Sequence, residues 1–298
     1  MNGGQAVNST PQRRINPILV VVIIALVLVL ITVVIVLAMG YRLTSDNGII
    51  FLGKVRGGDP WDGKLKYETG ITAMLDKENR TITYDNGDVY VGDIDVLCRD
   101  GYGEMTYANG DRYVGEWRDD TIDGEGTFYY ANGDIYSGEF VDNVRNGKGV
   151  YNWANGDVYE GDYKNNLMDG YGEFTRANGD KYSGGYSKGA RNGEGTLVLH
   201  VNGGIERYEG NWIDDQKQGS GVLEYTTGDR YSGNFINGLP DTRQLDESGK
   251  PVVMDNGEYA HGAEAIYTYA DGIQFTGDFI EGKSVTKEIA STEQSEAA

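Results

Sequence analysis

A row of carboxylates is the first feature of this sequence that could do chemistry. Each one follows an Asn-Gly pair, or in one case Thr-Gly, and oxygen ligands of this kind suit calcium. The spacing of 23 residues between the first five matches neither an EF-hand loop nor the glycine-rich nonapeptide that binds calcium in β-helices. We therefore interpret the acids as solvated hairpin turns and predict no metal site. The row consists of Asp88, Asp111, Asp134, Asp157, Asp180 and Asp229.

A nucleophile with a neighbouring base is the second kind of chemistry to consider. The two histidines, His200 and His261, lie far apart in the sequence, and no serine or cysteine stands at a spacing that would pair with them. Cys98 is the only cysteine, so the chain forms neither an internal disulfide nor a cysteine metal site. The sequence also lacks a glycine-rich nucleotide loop, which argues against a kinase. We predict a non-enzymatic protein without catalytic residues or a cofactor, and we keep a hydrolase as a third alternative.

Aromatic side chains are the best candidates for a binding face. They recur at alternate positions of repeated segments, and a period of two places them on one side of a strand. The first interpretation of this face is the structural core of a single-layer sheet. The second is a binding surface, because a long exposed aromatic strip marks an interaction site. The candidate face comprises Tyr113, Trp117, Phe128, Tyr130, Tyr136, Phe140, Tyr151, Trp153, Tyr159 and Tyr163.

A repeat of 23 residues positions these side chains. One copy runs from Tyr113 to Ile135, and the pattern begins again at Tyr136, Tyr159 and Tyr182. Each copy has an aromatic-x-Gly-x-apolar segment, then a Gly-x-Gly segment with alternating apolar residues, then an Asn-Gly pair. The first two segments predict strands, and Asn-Gly predicts a two-residue type I′ turn because both residues tolerate positive φ. We interpret the strand glycines as space for rings from the neighbouring strand.

The predicted fold is therefore all-β. About eight copies of the 23-residue hairpin repeat would form an extended single-layer antiparallel β-meander. The spacing Tyr-x-Gly-Glu-Trp, Gly-x-Gly and Asn-Gly-Asp resembles the MORN (membrane occupation and recognition nexus) repeat, most closely between residues 90 and 233. The resemblance implies an extended antiparallel sheet used for scaffolding and for contacts with proteins or lipids. It implies no catalytic residues.

Two positions of the repeat differ from the family pattern. Members of this family usually carry Lys and His in the segment just before Gly-x-Gly. Because both are replaced here, we predict that the repeats do not bind acidic phospholipids. The His position holds Asp123, Asn146, Asp169, Asn192 and Gln218, and the Lys position holds Thr121, Val144, Leu167, Ala190 and Gln216.

A long apolar segment precedes the repeats. Ile18 to Met39 is 22 residues without a charge, and at 1.5 Å per residue it spans ~33 Å, enough to cross a bilayer. A cleaved signal peptide is the alternative, but its apolar region would be shorter and would end at a small-x-small site. Arg13 and Arg14 flank the amino end, so the positive-inside rule favours a cytoplasmic N-terminus and an extracytoplasmic repeat domain.

The resulting organisation has six parts. They are a short cytoplasmic tail (1–17), a single-pass transmembrane helix (18–39), a juxtamembrane segment with a degenerate capping repeat (40–83), regular repeats (84–238), a loop with a degenerate C-terminal repeat (239–283) and a disordered tail (284–298).

Net charge limits the choice of partners. Residues 46–298 carry 46 acidic and 23 basic side chains, a net charge of −23, which excludes nucleic acid because binding it requires the opposite field. We predict a membrane-anchored scaffold that binds a protein or peptide along the sheet. The alternative is an extracytoplasmic glycan-binding (cell-wall) module that uses the aromatic face.

Overall fold

The computed structural model describes residues 17–46, 48–244, 246–247, 250–255, 257–260 and 262–284. These residues fall into two compact units that divide after Cys98. Apart from one helix, their regular structure is β-strand arranged as an antiparallel meander, which confirms the predicted fold class. Except for Pro17 and Ser284, the predicted tails 1–17 and 284–298 lie outside the described residues, as does His261.

The helix α1 (Pro17–Ala38) is apolar on all sides. Its segment Val20–Ala38 is long and apolar enough to cross a membrane, and no other part of the described chain buries it. Thr32 satisfies its hydroxyl within the helix by donating to the carbonyl of Leu28 at 2.8 Å. Gly40, with φ of 83°, ends the helix in the left-handed conformation that usually follows a last turn. Length and composition of this kind fit a membrane span or a signal sequence.

The first unit contains α1 and six strands that pair in chain order. Their inward side chains include Phe51, Leu65, Leu75 and Ile82, all fully buried. The registers Phe51↔Leu65 and Leu75↔Ile82 place these side chains on one side of the sheet. The strands are β1 (Tyr41–Asp46), β2 (Ile49–Arg56), β3 (Asp59–Lys66), β4 (Thr72–Asp76), β5 (Thr81–Tyr84) and β6 (Val89–Asp95).

The second unit continues with long antiparallel hairpins, and its first strand begins at Cys98, the last residue of the first unit. The strands are β7 (Cys98–Thr106), β8 (Arg112–Arg118), β9 (Thr121–Tyr129), β10 (Ile135–Val141), β11 (Val144–Asn152), β12 (Val158–Lys164), β13 (Leu167–Thr175), β14 (Lys181–Ser187), β15 (Ala190–Val201), β16 (Gly204–Ile213), β17 (Gln216–Glu224), β18 (Arg230–Ile236), β19 (Leu239–Pro240), β20 (Ala265–Thr268), β21 (Gln274–Gly277), β22 (Phe279–Ile280) and β23 (Lys283–Ser284).

A long excursion interrupts the meander near its C-terminal end. β18 pairs with the short β19 and also with β20, which takes the place of the next repeat strand. A segment of 24 residues separates β19 from β20. Ala265 at the start of β20 is fully buried, and it stands against Gly233 where the regular repeats have a second glycine. β20 then pairs with β21, and β22 pairs with β23.

The Asn-Gly turns differ from the prediction. In Ala131-Asn132-Gly133 only the glycine has positive φ, and its N–H donates to the carbonyl of Tyr130 at 2.9 Å. This is a three-residue loop with a left-handed glycine in third place, not a two-residue type I′ turn. Asn132 keeps a negative φ, and its side-chain oxygen accepts the N–H of Asp134 at 3.0 Å.

The two-residue turns lie at the opposite ends of the strands. Asp119 and Asp120 have φ of 44° and 64°, and the flanking Arg118 and Thr121 are paired, as in a type I′ turn. Asp and Asn tolerate this left-handed conformation because their short side chains bond locally. Equivalent pairs are Asp142-Asn143, Asn165-Asn166, Lys188-Gly189, Asp214-Asp215 and Asn237-Gly238, and Asn202-Gly203 forms the same turn in the longer β15–β16 hairpin.

Candidate binding face

The repeat tyrosine lies over bare backbone. Tyr113 is fully buried, and its hydroxyl donates to the carbonyl of Glu116 at 3.0 Å. A Cβ built on Gly126 of the neighbouring strand would overlap the ring and hydroxyl of Tyr113. The first glycine of the same Gly-x-Gly, Gly124, has a different role, because its φ of 110° lets β9 bulge opposite β8. The interpretation of strand glycines as space for rings is therefore confirmed for the second glycine of Gly-x-Gly, and not for the first.

Each repeat tyrosine also touches two further rings edge to face. Tyr113 contacts Trp117 of its own repeat with ring centres 5.3 Å apart, and Phe140 of the next repeat at 5.4 Å. Tyr136 repeats this arrangement with Phe140 and Tyr163. We call the resulting line of buried rings the ring ladder. It consists of Tyr113, Trp117, Tyr136, Phe140, Tyr159, Tyr163, Tyr182, Tyr186, Tyr208, Trp212, Tyr231 and Phe235.

The ring ladder contains six of the ten predicted face residues. Burial removes their rings from solvent, so the structure places them in the core and they present no surface to a partner. The same burial raises the pKa of the ladder tyrosines, for example that of Tyr182 to about 12. The six are Tyr113, Trp117, Tyr136, Phe140, Tyr159 and Tyr163.

The other four predicted residues belong to a second line of rings on the same face. Phe128 pairs with Tyr113 and Tyr151 pairs with Tyr136, so the two lines share one side of the sheet. These rings are only half-buried, and they lie next to the Asn-Gly-Asp loops. We call them the aromatic strip: Tyr107, Phe128, Tyr130, Tyr151, Trp153 and Phe174.

Consecutive rings of the aromatic strip touch. Tyr107 stacks on Phe128 at 5.9 Å, and Phe128 lies 4.5 Å from Tyr130. Tyr151 lies 5.8 Å from Tyr130 and 4.5 Å from Trp153. A last contact of 5.4 Å joins Trp153 to Phe174. The strip thus crosses the seven strands β7 to β13 without a break.

A groove of mixed polarity continues the aromatic strip beyond Phe174. In the next repeat the strip positions hold Leu197 and Leu199 in place of rings. Together with Met168 and Phe174 they line a cavity of about 380 Å³, whose lining also includes the charged residues Arg176, Asp180, Lys181, Arg191 and Asp215. The change from rings to leucines therefore leaves room that the preceding repeats fill with aromatic side chains.

Cationic side chains border the ring ladder, and one of them, Arg145, also touches the aromatic strip. The guanidinium of Arg145 lies 5.3 to 5.5 Å from the ring centres of Tyr136, Tyr151 and Tyr163. Its Nη2 donates to the carbonyl of Asn166 at 2.9 Å. Among the described residues Arg145 forms no ion pair with a carboxylate.

Three other basic residues occupy the same repeat position with different partners. Arg99 stacks on Trp117 at 4.2 Å and pairs with Asp120, and Arg191 stacks on Trp212 at 4.2 Å and pairs with Asp215. Lys217 lies over Tyr208 at 4.9 Å, and burial is the main cause that lowers its pKa. Ile122 and Met168 take this position in the repeats between.

The row of turn acids ties successive repeats together. Oδ1 of Asp134 accepts the N–H of Ala154 in the next turn at 2.9 Å, and Oδ2 accepts the hydroxyl of Tyr151 at 2.8 Å. These bonds lower the pKa of the Asp134 carboxyl, with the Ala154 bond as the largest cause. These carboxylates therefore bond to the following repeat and are not only solvated side chains of a turn. Equivalent bonds join Asp111 to Ala131, Asp157 to Ala177, Asp180 to His200 and Asp229 to Ala270. Within the described residues no three acids, histidines or cysteines converge as a metal site.

Six segments of the chain match the family model of the MORN repeat. They are residues 99–112, 113–135, 136–158, 159–181, 182–200 and 208–230. The chain contains MORN repeats. All six segments lie in the second unit.

Solved structures with some similarity include domains of CPAP proteins. The TCP10 domain of Danio rerio CPAP is 17% identical, with a TM-score of 0.33, over 67% of this chain and 100% of that domain. The TCP domain of Drosophila melanogaster SAS-4 (dCPAP), in complex with a proline-rich motif of Ana2 (dSTIL), is 17% identical, with a TM-score of 0.30, over 59% and 84%. A comparison with curated protein sequences gives no match.

The reverse face of the MORN repeats is polar. A concavity of about 770 Å³ on this face is lined mainly by glycines, hydroxyl and amide side chains and the carboxylates of Glu194, Glu209 and Glu264, together with Tyr171, Val222, Ala263 and Ile266. No basic residue lines it.

Two members of the aromatic strip, Tyr107 and Phe174, were not among the predicted face residues, although alternation along the second strand of each repeat signals them. Arg145 was not predicted either, because only its packing on three rings reveals it.

Proposed function

We propose that the chain is a membrane-anchored, non-enzymatic scaffold that binds a protein or peptide segment along its MORN repeats. Helix α1 provides the anchor, and the aromatic strip with Arg145 provides the binding face. The N-terminus is cytoplasmic and the repeats lie outside the cytoplasm, as the flanking Arg13 and Arg14 favour.

The observation that carries the binding proposal is the division of one aromatic face into two lines. The ring ladder already buries enough rings to form the core, so the core does not explain the aromatic strip. Six touching rings that remain partly exposed form a continuous apolar surface, and aromatic residues with Arg are the side chains most enriched where proteins bind. Strands ~4.8 Å apart make the strip roughly 30 Å long, the length of about nine residues of extended peptide.

Arg145 defines the chemistry of the partner. Its guanidinium lies beside Tyr151 of the strip, and its neighbour Asn166 holds it without neutralising its charge. A cation beside apolar rings fits a segment with bulky apolar side chains and one carboxylate, because the Arg–carboxylate pair is geometrically specific. The predicted glycan alternative uses ring faces, but these rings lie against one another, which covers part of each face.

Site-specific crosslinking in cells tests the binding proposal. A photo-crosslinking amino acid replaces Trp153 or Tyr130 of the aromatic strip in the full chain. The matched control replaces Tyr171, which is exposed on the polar face. We expect the two strip positions to crosslink one common protein, and Phe174→Ala to weaken both crosslinks, while the Tyr171 position does not capture it.

Two results would contradict the proposal. Equal capture at Tyr171 would show that the strip is not the binding face. Retention of the chain by isolated cell wall, lost when Trp153 is replaced and without any protein crosslink, would favour the glycan alternative.

The anchor has its own test. Deletion of residues 1–40 should release the chain into the soluble fraction, whereas the full chain should resist alkaline carbonate extraction. Recovery of the full-length protein in the carbonate supernatant would contradict anchoring by α1, and a shortened mature N-terminus would show a cleaved signal instead.

A further inference from the structure

The outward face of β1 to β4 carries exposed aliphatic side chains. Leu43, Ile50, Leu52 and Met74 are 72%, 46%, 52% and 48% exposed, although they stand in a regular sheet. Leu43 is paired with Leu52, and both Leu52 and Met74 are paired with Lys64, so these side chains point to the same side. The opposite side holds the buried core of the first unit.

Lysines are interleaved with these aliphatic side chains. Lys64 lies between Leu52 and Met74, and Lys66 is paired with Ile50. Neither lysine forms an ion pair within the part of the chain that the structure describes. Residues 40–76, which include β1 to β4, have five basic and five acidic side chains, a net charge of 0, whereas residues 77–298 carry 19 basic and 41 acidic ones, a net charge of −22. On this face Asp62 pairs with Lys54 and Asp76 accepts a hydrogen bond from Asn79, so Lys64 and Lys66 are the cations that this face leaves without an ion partner among the described residues.

Helix α1 is tied directly to this sheet. It ends at Ala38 and β1 begins at Tyr41, so two residues connect them. The side chain of Arg42 donates to the carbonyl of Leu37 at 2.7 Å, and the N–H of Val55 in β2 donates to the carbonyl of Gly40 at 3.2 Å. A connection of two residues reaches at most about 10 Å. With α1 across a bilayer, β1 begins within the headgroup layer, which adds about 5–8 Å on each side of the hydrocarbon core.

We propose that this juxtamembrane face, formed by Leu43, Ile50, Leu52, Lys64, Lys66 and Met74, lies on an anionic lipid surface. The aliphatic side chains enter the headgroup boundary, and the lysine ammonium groups pair with lipid phosphates. The inference rests on the proposed anchoring by α1, because the anchor raises the local concentration of lipid around the face. It concerns the first unit, outside the six matched repeats.

Fluorescence in proteoliposomes tests the inference with the full chain. Cys98→Ala removes the native thiol, and Leu52→Cys or Met74→Cys accepts an environment-sensitive dye. The control position is Tyr171→Cys in the second unit, which is similarly exposed. The lipids are phosphatidylcholine alone or phosphatidylcholine with phosphatidylglycerol, each with a spin-labelled quenching lipid.

We expect the dyes at positions 52 and 74, but not at 171, to shift to the blue and to be quenched, more strongly with phosphatidylglycerol. Lys64→Glu with Lys66→Glu should abolish the phosphatidylglycerol-dependent increase. The matched control is Lys164→Glu with Lys188→Glu, at exposed positions of the second unit. It should leave the phosphatidylglycerol-dependent increase unchanged.

The outcomes separate the two proposals. Release by alkaline carbonate would overturn the anchor. A carbonate-resistant chain whose dye at position 52 is not quenched would overturn the juxtamembrane face and leave the anchor intact. A blue shift without lipid quenching would assign the face to a protein contact, and quenching that is equal in both lipids would remove the anionic surface from the proposal.

Discussion

Arg145 bonds to Asn166. In an earlier repeat the corresponding residues are Arg99 and Asp120, which form the equivalent pair. In both pairs the Nη2 group donates to the backbone carbonyl, at 2.9 Å for Arg145 and 2.7 Å for Arg99. The side chains differ: Oδ1 of Asp120 lies 2.9 Å from Nε of Arg99, whereas the neutral amide oxygen of Asn166 lies 3.4 Å from Nε of Arg145. The same backbone arrangement therefore fixes both cations, but among the described residues Arg145 has no carboxylate beside it that would neutralise its charge.

Asn166→Asp should neutralise Arg145 without displacing it. Asp tolerates the left-handed φ of 68° at this position, and the new ion pair should raise the free energy of unfolding by about 0–1 kcal/mol. Crosslinking of the partner through position 153 should nevertheless fall, because the carboxylate of the partner must compete with the introduced carboxylate for the guanidinium. Chemical denaturation and crosslinking yield measure the two effects. Unchanged crosslinking with increased stability would show that Arg145 is only structural.

Gly126→Ala should destabilise the second unit. The added Cβ would overlap the ring of Tyr113, whose position is fixed by its hydroxyl bond and two edge-to-face contacts. Overpacking of this kind costs about 1–3 kcal/mol. A suitable comparison is Gly193→Ala, where a Cβ meets no atom within 4 Å and only the φ of 92° opposes the change. If Gly126→Ala left the melting temperature of the chain unchanged, the ring would not depend on the bare glycine.

The repeat arrangement was predictable from the sequence because it depends on side-chain alternation and on glycine spacing. The division of the aromatic face was not. Tyr113 and Phe128 share a face and a period, and they differ in burial because Trp117 and Phe140 cover only Tyr113. That cover comes partly from the following repeat, so no pattern within one repeat reveals it.

Turn types also depend on partners outside the turn. Asn132-Gly133 has the residues of a type I′ turn, but strand pairing places Ala131 in the loop as well. A three-residue loop of this type needs positive φ only at the glycine. Gly138 also depends on its neighbours. A Cβ there would meet the carbonyl of Lys148 and the Cα of Gly149 before the hydroxyl of Tyr136, so the backbone of the next strand restricts this glycine more than a ring does.

Alkaline pH should unfold the second unit. Burial raises the pKa of Tyr182 to about 12, above the value of about 10 for an unfolded tyrosine. The folded state therefore holds this proton more tightly, so its contribution to stability is complete below about pH 10 and is lost as the pH rises to about 12. Denaturant titrations across this range should show a falling free energy of unfolding, with tyrosinate absorbance rising together with loss of structure. Constant stability up to about pH 12 would contradict the buried ladder.

Protease added to intact cells should remove the repeats, since α1 is expected to place them outside the cytoplasm. The flanking Arg13 and Arg14 favour this orientation only through the charge difference across α1, because Arg42 follows the helix closely on the other side. An epitope after residue 284 should therefore be lost in intact cells and an epitope before residue 13 should be lost only after lysis. The reverse pattern would place the repeats in the cytoplasm.

The MORN repeats themselves should not bind acidic phospholipids. Basic residues near a membrane surface contribute roughly 1 kcal/mol each, and the two positions that usually hold Lys and His carry none in these repeats. Residues 67–298 have a net charge of −24, so their field should repel anionic headgroups. Salt should weaken that repulsion without creating affinity.

Liposome flotation of a fragment that begins at Tyr41, the first residue of the sheet, tests this expectation. The fragment should carry Lys64→Glu and Lys66→Glu, which removes the basic side chains of the juxtamembrane face and leaves the repeats unchanged. At low salt we expect it to stay at the bottom of the gradient with neutral and with phosphatidylserine vesicles alike. Flotation with phosphatidylserine vesicles alone would assign lipid binding to the repeats. Flotation only of the fragment with both native lysines would instead locate the affinity in the first unit, where Lys64 and Lys66 lie beside exposed Leu52 and Met74.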